Sequence, residues 1–454
     1  MSTSLYKLFI NQLLTSLEDT GIGLHLGPIF IGSPTCADDQ LLLADSSSDL
    51  QVMITACNDY ANSHQYTLHP EKSTVTTILS NKGSSAPKWT IGENPMPYSP
   101  NFTHLGLQWS EGKLGPDIDT RINTARRTLY ALMGTGVHGQ NGLSPAVSSH
   151  IIKIYVTPRL LYGLEATVMT KKQRDELGAY HRNLLRTIQG LPKSTASEGI
   201  YILIGELPIE AELDIRILKL FGAICRAESN TTLKRMAHRQ LAMANKHSWF
   251  HQVLRLCEQY GISGKLAVDA PWRKLTWSSY VNNAVKSYWK QKLLEKASDK
   301  SSLKMINSDN LIALKPHSLW TSCSRDPRMV PAAVTRAKLI TNTYWVQQRR
   351  AKVNNNNTDP TCMLCHEETE DITHMLLKCK STDKIRQPII NKIQQNNFFP
   401  TNARDLLNGP VNNNEPLRTN ILISDLCQRL HREREKLLQG QIIQDTRGHV
   451  HKPP

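Results

Sequence analysis

The sequence lacks any apolar run long enough to cross a membrane. Its apolar stretches, such as residues 41–44, fall far short of the roughly 20 residues that a membrane-spanning helix needs. Only Lys7 precedes an interrupted apolar pattern near the N-terminus, so we expect no signal peptide. Nine cysteines among 454 residues do not make a disulfide scaffold, and an odd number cannot pair completely. We therefore expect no membrane partner and a reducing intracellular compartment, either nuclear or cytoplasmic.

Two common catalytic patterns are missing as well. The sequence contains no glycine-rich phosphate loop of the form G-x-x-x-x-G-K-[ST]. It also offers no convincing set of a nucleophile, a histidine and an acid for covalent catalysis. A functional site has to be sought in other motifs.

Basic charge is present in excess but is unevenly distributed. The whole chain carries 54 basic and 39 acidic residues, a net charge of +15. Residues 1–120 contain five basic and twelve acidic side chains, a net of −7, so the rest of the chain has a net charge of +22. Two blocks of opposite sign indicate two different roles, and the basic block favours a polyanionic partner. Ordinary solvated surfaces are the alternative explanation for each block.

The apolar pattern changes at about residue 115. Before it, the sequence predicts mixed α and β structure, and after it a mainly helical chain. The N-terminal predictions are a helix that starts near Ser2 and stops at Gly21, strands over 24–32, 40–44, 74–79 and 102–109, and a helix over 48–62. Later predictions include helices over 173–189, 206–227, 280–296, 337–352 and 420–440.

Paired carboxylates stand at the tip of a predicted hairpin. Asp38 and Asp39 lie in a turn between two apolar segments, where like charges repel unless a cation compensates. Two-metal phosphoryl transfer uses several carboxylates that hold ions roughly 3.5–4 Å apart. The pair therefore fits a polymerase-type Mg²⁺ site, although two adjacent aspartates also occur in plain surface turns.

Four ordered pieces of residues 1–110 resemble the palm domain of non-LTR retrotransposon reverse transcriptases. They are S-T-S-L-Y-K-L-F-I-N at 2–11, T-C-A-D-D at 35–39, L-H-P-E-K-S at 68–73 and F-T-H-L-G-L at 102–107. The resemblance implies RNA-directed DNA synthesis, with RNA and DNA as template and primer. It implies that Asp38 and Asp39 bind Mg²⁺, with Asp38 the better candidate for direct coordination. It also places Lys72 near the incoming phosphates and Gly106 near the primer end, although Gly106 would equally suit a strand bulge and Lys72 a solvated position. Cys36 departs from the family, since many members carry an aromatic residue there.

The resemblance starts inside a motif. Family members carry a further catalytic aspartate, a Gln-Gly turn and a fingers domain upstream, whereas only Met1 precedes Ser2. Two aspartates on one hairpin make a poor two-metal cage, so the Mg²⁺ site is expected to be incomplete. We expect a truncated reverse-transcriptase protein that does not polymerise alone.

A second motif has metal-ligand spacing. Cys362, Cys365, His374 and Cys379 follow the pattern C-x2-C-x8-H-x4-C. Three thiolates and one imidazole suit a closed, structural Zn²⁺ site, and a short helix from His374 would close it. Buried free cysteines are the alternative, and His366 is a competing ligand. The pattern resembles the CCHC knuckle that follows the polymerase domain in this class of element.

Basic residues near this motif are candidates for nucleic-acid contact. The acidic loop of the motif does not suit phosphates, so we assign this role to neighbouring basic residues, with the aromatic Tyr344 and Trp345 beside them. The wider candidates are Arg336, Lys352, Lys384 and Arg386. The assigned residues are Lys338, Arg349, Arg350, Lys378 and Lys380. An amphipathic helix with snorkelling arginines is the alternative.

The predicted fold is an α+β palm remnant followed by a mainly α-helical region with a small zinc knuckle. The predicted domains are a partial palm (1–112), a thumb-like helical region (113–230), a basic helical region (231–353), the knuckle (358–385) and a C-terminal helical tail (386–454). Two other functions stay open, namely a non-enzymatic zinc-containing nucleic-acid-binding protein and a helical interaction module. Oligomeric state is not predicted.

Overall fold

The chain forms two compact units in a computed structural model. The structure describes residues 3–78, 88–112, 118–243, 247–262, 268, 272–355, 357–410 and 416–448. The first unit takes its residues from 1–121, 161–170 and 213–284, and the second from 122–160, 171–212 and 285–454. Among the described residues, no helix is both long and apolar enough to span a membrane.

The described residues are mostly helical. The helices are α1 (Thr3–Asp19), α2 (Ser47–Ser63), α3 (Ile118–Met133), α4 (Pro145–Tyr155), α5 (Thr157–Leu161), α6 (Lys171–Ile188), α7 (Ser197–Ile204), α8 (Ile209–Cys225), α9 (Thr232–Met243), α10 (Trp249–Gln259), α11 (Lys274–Ser298), α12 (Asp309–Ile312), α13 (Ser318–Ser322), α14 (Val330–Ile340), α15 (Gln347–Val353), α16 (Asp383–Gln395), α17 (Ala403–Asn408) and α18 (Pro416–Gly448). The mainly helical character predicted for the chain after residue 115 is confirmed.

The strands form four antiparallel hairpins, each of two short strands with a two-residue turn. They are β1 (His25–Leu26) with β2 (Ile29–Phe30), β3 (Thr35–Cys36) with β4 (Asp39–Gln40), β5 (Thr90–Ile91) with β6 (Asn94–Pro95), and β7 (Asn101–His104) with β8 (Leu107–Ser110). The described residues contain no sheet of more than two strands. The palm remnant therefore stays a prediction.

The predicted strands need correction in four places. Residues 24–32 and 102–109 are hairpins rather than single strands, since their chains reverse at residues 27–28 and 105–106. Only Asp39–Gln40 pairs as a strand where 40–44 was predicted, although the amides of Leu41 and Leu43 still donate to the carbonyls of Pro34 and Gly32. Of residues 74–79, only Val75 forms a bridge, and residue 79 lies outside the described residues.

Helices α1 and α2 form the core of the N-terminal segment. Their buried contact uses Ile10, Leu13 and Leu17 against Met53 and Cys57. The oxygen of the Ser46 side chain caps α2 by accepting a hydrogen bond from the Asp49 amide. Both helices lie close to their predicted bounds.

In the second unit, the long helix α18 packs on α13, α14 and α16. Its buried stripe consists of Ile423, Leu426, Cys427 and Leu430, which recur at helical spacing. The predicted helix over 337–352 is wrong, because α14 ends at Ile340 and α15 begins only at Gln347. Asn342 takes a left-handed backbone conformation (φ +50°), which ends the first helix.

Candidate metal centre

A short hairpin positions the first two cysteines of the knuckle. The amide of Cys362 donates to the carbonyl of Glu368 over 2.8 Å, and the amide of Glu370 donates to the carbonyl of Pro360 over 2.9 Å. Thr361 and Thr369 pair in an antiparallel bridge between these two bonds. The two arms of the loop are thereby held side by side.

A single helical turn supplies the other two ligands. It spans His374–Lys378, and its first amide, that of His374, donates to Oδ1 of Asp371 over 2.6 Å. The amide of Cys379 then donates to the carbonyl of His374 over 2.9 Å, so the two ligands lie at opposite ends of the turn. The prediction that a short helix starts at His374 is confirmed.

The structure brings the four predicted ligands together. One donor atom from each of Cys362, Cys365, His374 and Cys379 lies within 4.8 Å of all the others. Sγ of Cys362 and Sγ of Cys379 are 3.9 Å apart, and Sγ of Cys365 lies 3.4 Å from Nε2 of His374. A tetrahedral Zn²⁺ with Zn–S of about 2.3 Å and Zn–N of about 2.0–2.1 Å would need separations of about 3.8 and 3.6 Å. Both the donor set and its spacing therefore fit zinc.

The burial of the ligands also fits a closed site. Cys362, His374 and Cys379 are buried and Cys365 is half-buried. The competing candidate His366 is exposed and is not part of the cluster. Among the described residues, no other group of three or more His, Cys, Asp or Glu side chains comes close enough to hold an ion.

A carboxylate orients the histidine. Nδ1 of His374 lies 3.3 Å from Oε2 of Glu368, while Nε2 faces the cysteines. A carboxylate at the far ring nitrogen holds its proton there and leaves Nε2 free to bind a metal. Glu368 was predicted only as part of an acidic loop.

A buried guanidinium lies beside Cys379. Nη2 of Arg386 donates to the carbonyl of Cys379 and to Oδ1 of Asp383, both over 2.7 Å, and Arg386 is only 3 % exposed. Its Nε and Nη1 have no hydrogen-bond partner within the described part of the chain. Three thiolates on Zn²⁺ leave a net charge of −1, which this cation, already paired with Asp383, would offset in part. Because Arg386 is buried, the nucleic-acid contact predicted for it is wrong. A hydrogen bond from the Cys362 thiol also lowers the pKa of the Cys379 thiol.

The knuckle loop is joined to two helices by one buried carboxylate. Glu370 and Arg434 of α18 are each 2 % exposed and form a bidentate ion pair, with Nε to Oε1 at 2.6 Å and Nη2 to Oε2 at 2.8 Å. Oε2 of Glu370 also accepts the amide of Gln347, the first residue of α15, over 2.7 Å. The sequence carried no signal for a pair separated by 64 residues.

The predicted nucleic-acid residues fall into three environments. Arg350 and Lys378 are exposed, Lys338 and Arg349 are half-buried, and Lys380 is exposed but pairs with Glu367 at 3.0 Å. Trp345, which is 49 % exposed, lies under the guanidinium of Arg349, with 5.3 Å between Cζ and the ring centre. We call Trp345, Arg349, Arg350 and Lys352 the α15 face.

Arg336 is not available to a nucleic acid. It is 0 % exposed, and its guanidinium donates to the carbonyls of Leu407 and Asn420, to Oδ1 of Asn420 and to Oγ of Ser424. The contact predicted for Arg336 is therefore wrong, because this side chain fastens α14 to α17 and α18. Its five donors suit this task better than a lysine would.

The candidate polymerase residues belong to the first unit. Asp38 occupies the β3–β4 turn after Ala37, whose φ is +54°, and both Asp38 and Asp39 are exposed. Within the described residues, no third metal-binding side chain joins them. Burial and, second, the Asp38 carboxylate raise the pKa of Tyr6. Lys72 is exposed at the end of the short 3₁₀ turn Pro70–Lys72.

Gly106 completes the tight turn of the β7–β8 hairpin. Leu105 and Gly106 both have positive φ, +48° and +72°, a conformation that glycine adopts without strain. The Gly106 carbonyl accepts a hydrogen bond from Nη2 of Arg121 over 2.5 Å. This turn explains the glycine, and its predicted primer contact stays a prediction.

Comparison with known proteins gives one partial similarity. No protein-family model matches the chain. The chain is 27 % identical over 210 residues to the retrovirus-related Pol polyprotein from the type-1 retrotransposable element R2 of Popillia japonica. The match covers 44 % of this chain and 33 % of that polyprotein, so the chain spans about a third of its curated relative. The sequence is thus related, in part, to a retrotransposon polyprotein.

Proposed function

We propose that this chain is a reverse-transcriptase-derived part of a retrotransposon polyprotein, and that it binds nucleic acid through its zinc-containing C-terminal region. The Cys/His cluster, assembled beside the α15 face, is the observation that carries the proposal. Similarity to a Pol polyprotein supports a nucleic-acid partner.

Zinc has a structural task in this proposal. Cys362, Cys365, His374 and Cys379 would hold the ion and fill all four positions of a tetrahedral site. When bound, the ion ties the hairpin to the helical turn, and no ligand position is left for catalysis. Arg386 and Glu368 support the set by charge and by ring orientation.

The α15 face is the proposed contact surface. Trp345 and Arg349 form a cation–π pair, which offers a stacking platform for a base. Arg350 and Lys352 are exposed on the same helix and can reach phosphates. Glu367, Glu368 and Asp371 make the knuckle loop itself acidic, so it contributes less to phosphate binding.

Salt-dependent binding tests this surface. We would compare the wild-type chain with Arg350→Ala/Lys352→Ala, using fluorescence anisotropy of a labelled single-stranded RNA and its DNA equivalent. Loss of two phosphate contacts should lower the slope of log K against log salt by about 1.4, since single strands give about 0.7 per contact. Lys171→Ala/Lys172→Ala removes two exposed charges elsewhere in the same unit and is the matched control. Equal losses in both variants, or no salt-dependent binding by the wild type, would contradict the proposed surface.

We further propose that this chain does not polymerise DNA by itself. Asp38 and Asp39 are exposed and gather no third ligand from the described residues, whereas two-metal polymerisation uses several carboxylates. Primer extension with Mg²⁺ on an RNA template is the test. Incorporation that Asp38→Asn abolishes would overturn this part and would make the chain an active polymerase.

A helical interaction module is the second candidate. The buried, hydrogen-bonded placement of Arg336 favours it, because at least one predicted nucleic-acid residue is structural instead. Absence of salt-dependent binding to both RNA and DNA would favour this candidate over the first.

A further inference from the structure

Glu370 lies where three parts of the second unit meet. It belongs to the knuckle loop, four residues before the ligand His374, and its side chain contacts α15 and α18. Its carboxylate accepts three hydrogen bonds, two from Arg434 and one from the Gln347 amide. Its own carbonyl accepts a fourth, from the Gln348 amide over 3.1 Å.

These bonds define where α15 starts. Gln347 and Gln348 are its first two residues, and amides in a first helical turn have no partner within their own helix. Here Glu370 supplies the acceptors for both amides. The same two bonds fix the chain that leads into the α15 face.

Arg434 holds the carboxylate in this position. Its guanidinium also lies 5.8 Å from the ring centre of Tyr344, whose hydroxyl contacts Nδ1 of His431 over 2.8 Å. Tyr344 directly precedes Trp345, so α18 supports the α15 face from behind. A buried ion pair with satisfied hydrogen bonds has one well-defined geometry, and loss of either partner is costly.

The position of Glu370 depends in turn on the knuckle. Its amide donates to the carbonyl of Pro360, and the preceding residue, Thr369, pairs with Thr361 in an isolated bridge. Both contacts lie within the loop that the metal ligands close. Residues 366–373 connect the Cys pair to His374, so their conformation is set by both halves of the metal site. Ile372 is the only apolar residue in this stretch of sequence, so apolar contacts of its own do little to keep the loop ordered.

We propose that Glu370 and Arg434 are positioning residues that couple zinc binding at the knuckle to the order of the α15 face. Zinc closes the loop, the loop places Glu370, and Glu370 with Arg434 fixes the start of α15. The knuckle thus organises the contact surface without forming it. This inference rests on the proposed function only for its effect on nucleic-acid affinity, since the coupling itself concerns this chain alone.

Hydrogen exchange of the backbone amides of Gln347 and Gln348 measures the coupling between zinc binding and the start of α15. In the zinc-loaded wild-type chain these two amides should be protected, and removal of zinc by a chelator should speed their exchange at least tenfold. Amides in the middle of α14, such as that of Leu339, serve as the internal reference and should keep their protection. Unchanged exchange at Gln347 and Gln348, or equal loss of protection in α14, would overturn the proposal.

Glu370→Gln separates coupling from metal binding. This variant keeps the four zinc ligands, so it should retain one zinc per chain while its Gln347 and Gln348 amides exchange fast with or without zinc. Glu367→Gln removes the same charge from the same loop, breaks only an exposed pair with Lys380, and should behave as the wild type. Arg434→Lys, which keeps the charge but not the bidentate geometry, provides the same test from α18 if the first variant does not fold.

Fluorescence anisotropy with the same RNA measures how the coupling affects nucleic-acid affinity. Zinc-loaded Glu370→Gln should bind it as weakly as the metal-free wild type, at least tenfold below the loaded wild type. If no form binds nucleic acid while exchange still follows zinc, the proposed function fails and the coupling stands. If Glu370→Gln keeps both slow exchange and its zinc dependence, the coupling fails whatever the affinity.

Discussion

The aspartate hairpin and the Cys/His knuckle are both short motifs with metal-binding residue types, yet their surroundings differ. Asp38 lies in a two-residue turn and Asp39 begins the strand β4 that follows it, and both side chains are exposed. The four knuckle ligands lie within 4.8 Å of one another, and three of them are buried. Three charged residues around the knuckle are buried as well, with Arg386, Glu370 and Arg434 each 2–3 % exposed.

The difference follows from how far apart in sequence the ligands of a site lie. All knuckle ligands come from 18 consecutive residues, so a hairpin and one helical turn are enough to assemble them. A two-metal site needs more carboxylates than one short turn can offer, and only tertiary structure can bring the others to it. When the ligands of a site lie close in sequence, their spacing predicts the geometry of the whole site. When they lie far apart, a short motif predicts only some of the ligands.

Removal of a knuckle ligand should give the largest effect. Cys379→Ser takes away one thiolate, so zinc should be lost. Structural zinc contributes roughly 10 kcal/mol or more in small zinc domains, so the knuckle and the start of α15 should unfold at a much lower temperature, while α14 stays folded. Metal content and calorimetric unfolding, with and without chelator, measure this. Cys36→Ser changes an exposed cysteine of the aspartate hairpin and should alter neither quantity. Equal behaviour of the two variants would abolish the contrast between the motifs.

Removal of a buried charge away from the metal should give the second-largest effect. Arg336→Met leaves the carbonyls of Leu407 and Asn420 without their donor, at about 1–3 kcal/mol for each orphaned buried group. We expect a loss of about 3 kcal/mol in the free energy of unfolding by urea denaturation. Arg328→Met, at an exposed arginine, is the control and should show no measurable loss. If Arg336→Met had the wild-type free energy of unfolding, the hydrogen bonds of Arg336 would contribute little to stability.

The buried His317 should make the free energy of unfolding fall between pH 7 and pH 5. Burial lowers the pKa of His317 from 6.5 to about 3, so the unfolded chain takes up a proton that the folded chain refuses as pH falls below 6.5. This costs about 2 kcal/mol by pH 5, at 1.36 kcal/mol per pH unit. His317→Gln should remove that share of the loss between pH 7 and pH 5, as measured by urea unfolding at both pH values. His150→Gln, at an exposed histidine, should keep the wild-type slope, and so would His317→Gln if the side chain titrated normally.

Substitution of the aspartates in the β3–β4 hairpin should give the smallest effect. Asp38→Asn/Asp39→Asn removes two exposed like charges, so melting temperature and zinc content should stay at their wild-type values. Thermal unfolding with metal analysis checks both. A large loss of stability, or a Mg²⁺-dependent stabilisation that the variant lacks, would show that the pair sits in a metal site after all.

Local patterns predicted the elements that carry their own signals. Helices α1 and α2 follow from capping residues and apolar spacing, and the knuckle ligands follow from cysteine spacing. The split of 337–352 was missed because Asn342 ends a helix only through its left-handed backbone, which the amphipathic pattern does not reveal. The hairpin within 102–109 was missed because the turn at Gly106 interrupts a continuous strand-like pattern.

Long-range pairing of charges could not be predicted. The sequence indicates only that Glu370 belongs to an acidic loop and that Arg336 is a candidate for nucleic-acid contact. Their burial depends on partners 64 to 84 residues away, Arg434 and Asn420, and no local pattern encodes such distances. Residue type therefore indicated the chemistry of the region but not which charges face solvent.

We expect the knuckle to bind zinc and thereby to order the region around it. Metal analysis of the full chain, purified in a reducing buffer without added metal, decides whether it does. We expect one zinc per chain in the wild type and in Asp38→Asn/Asp39→Asn, and none in Cys379→Ser. Less than half an equivalent of zinc in the wild type, or an unchanged amount in Cys379→Ser, would contradict the claim.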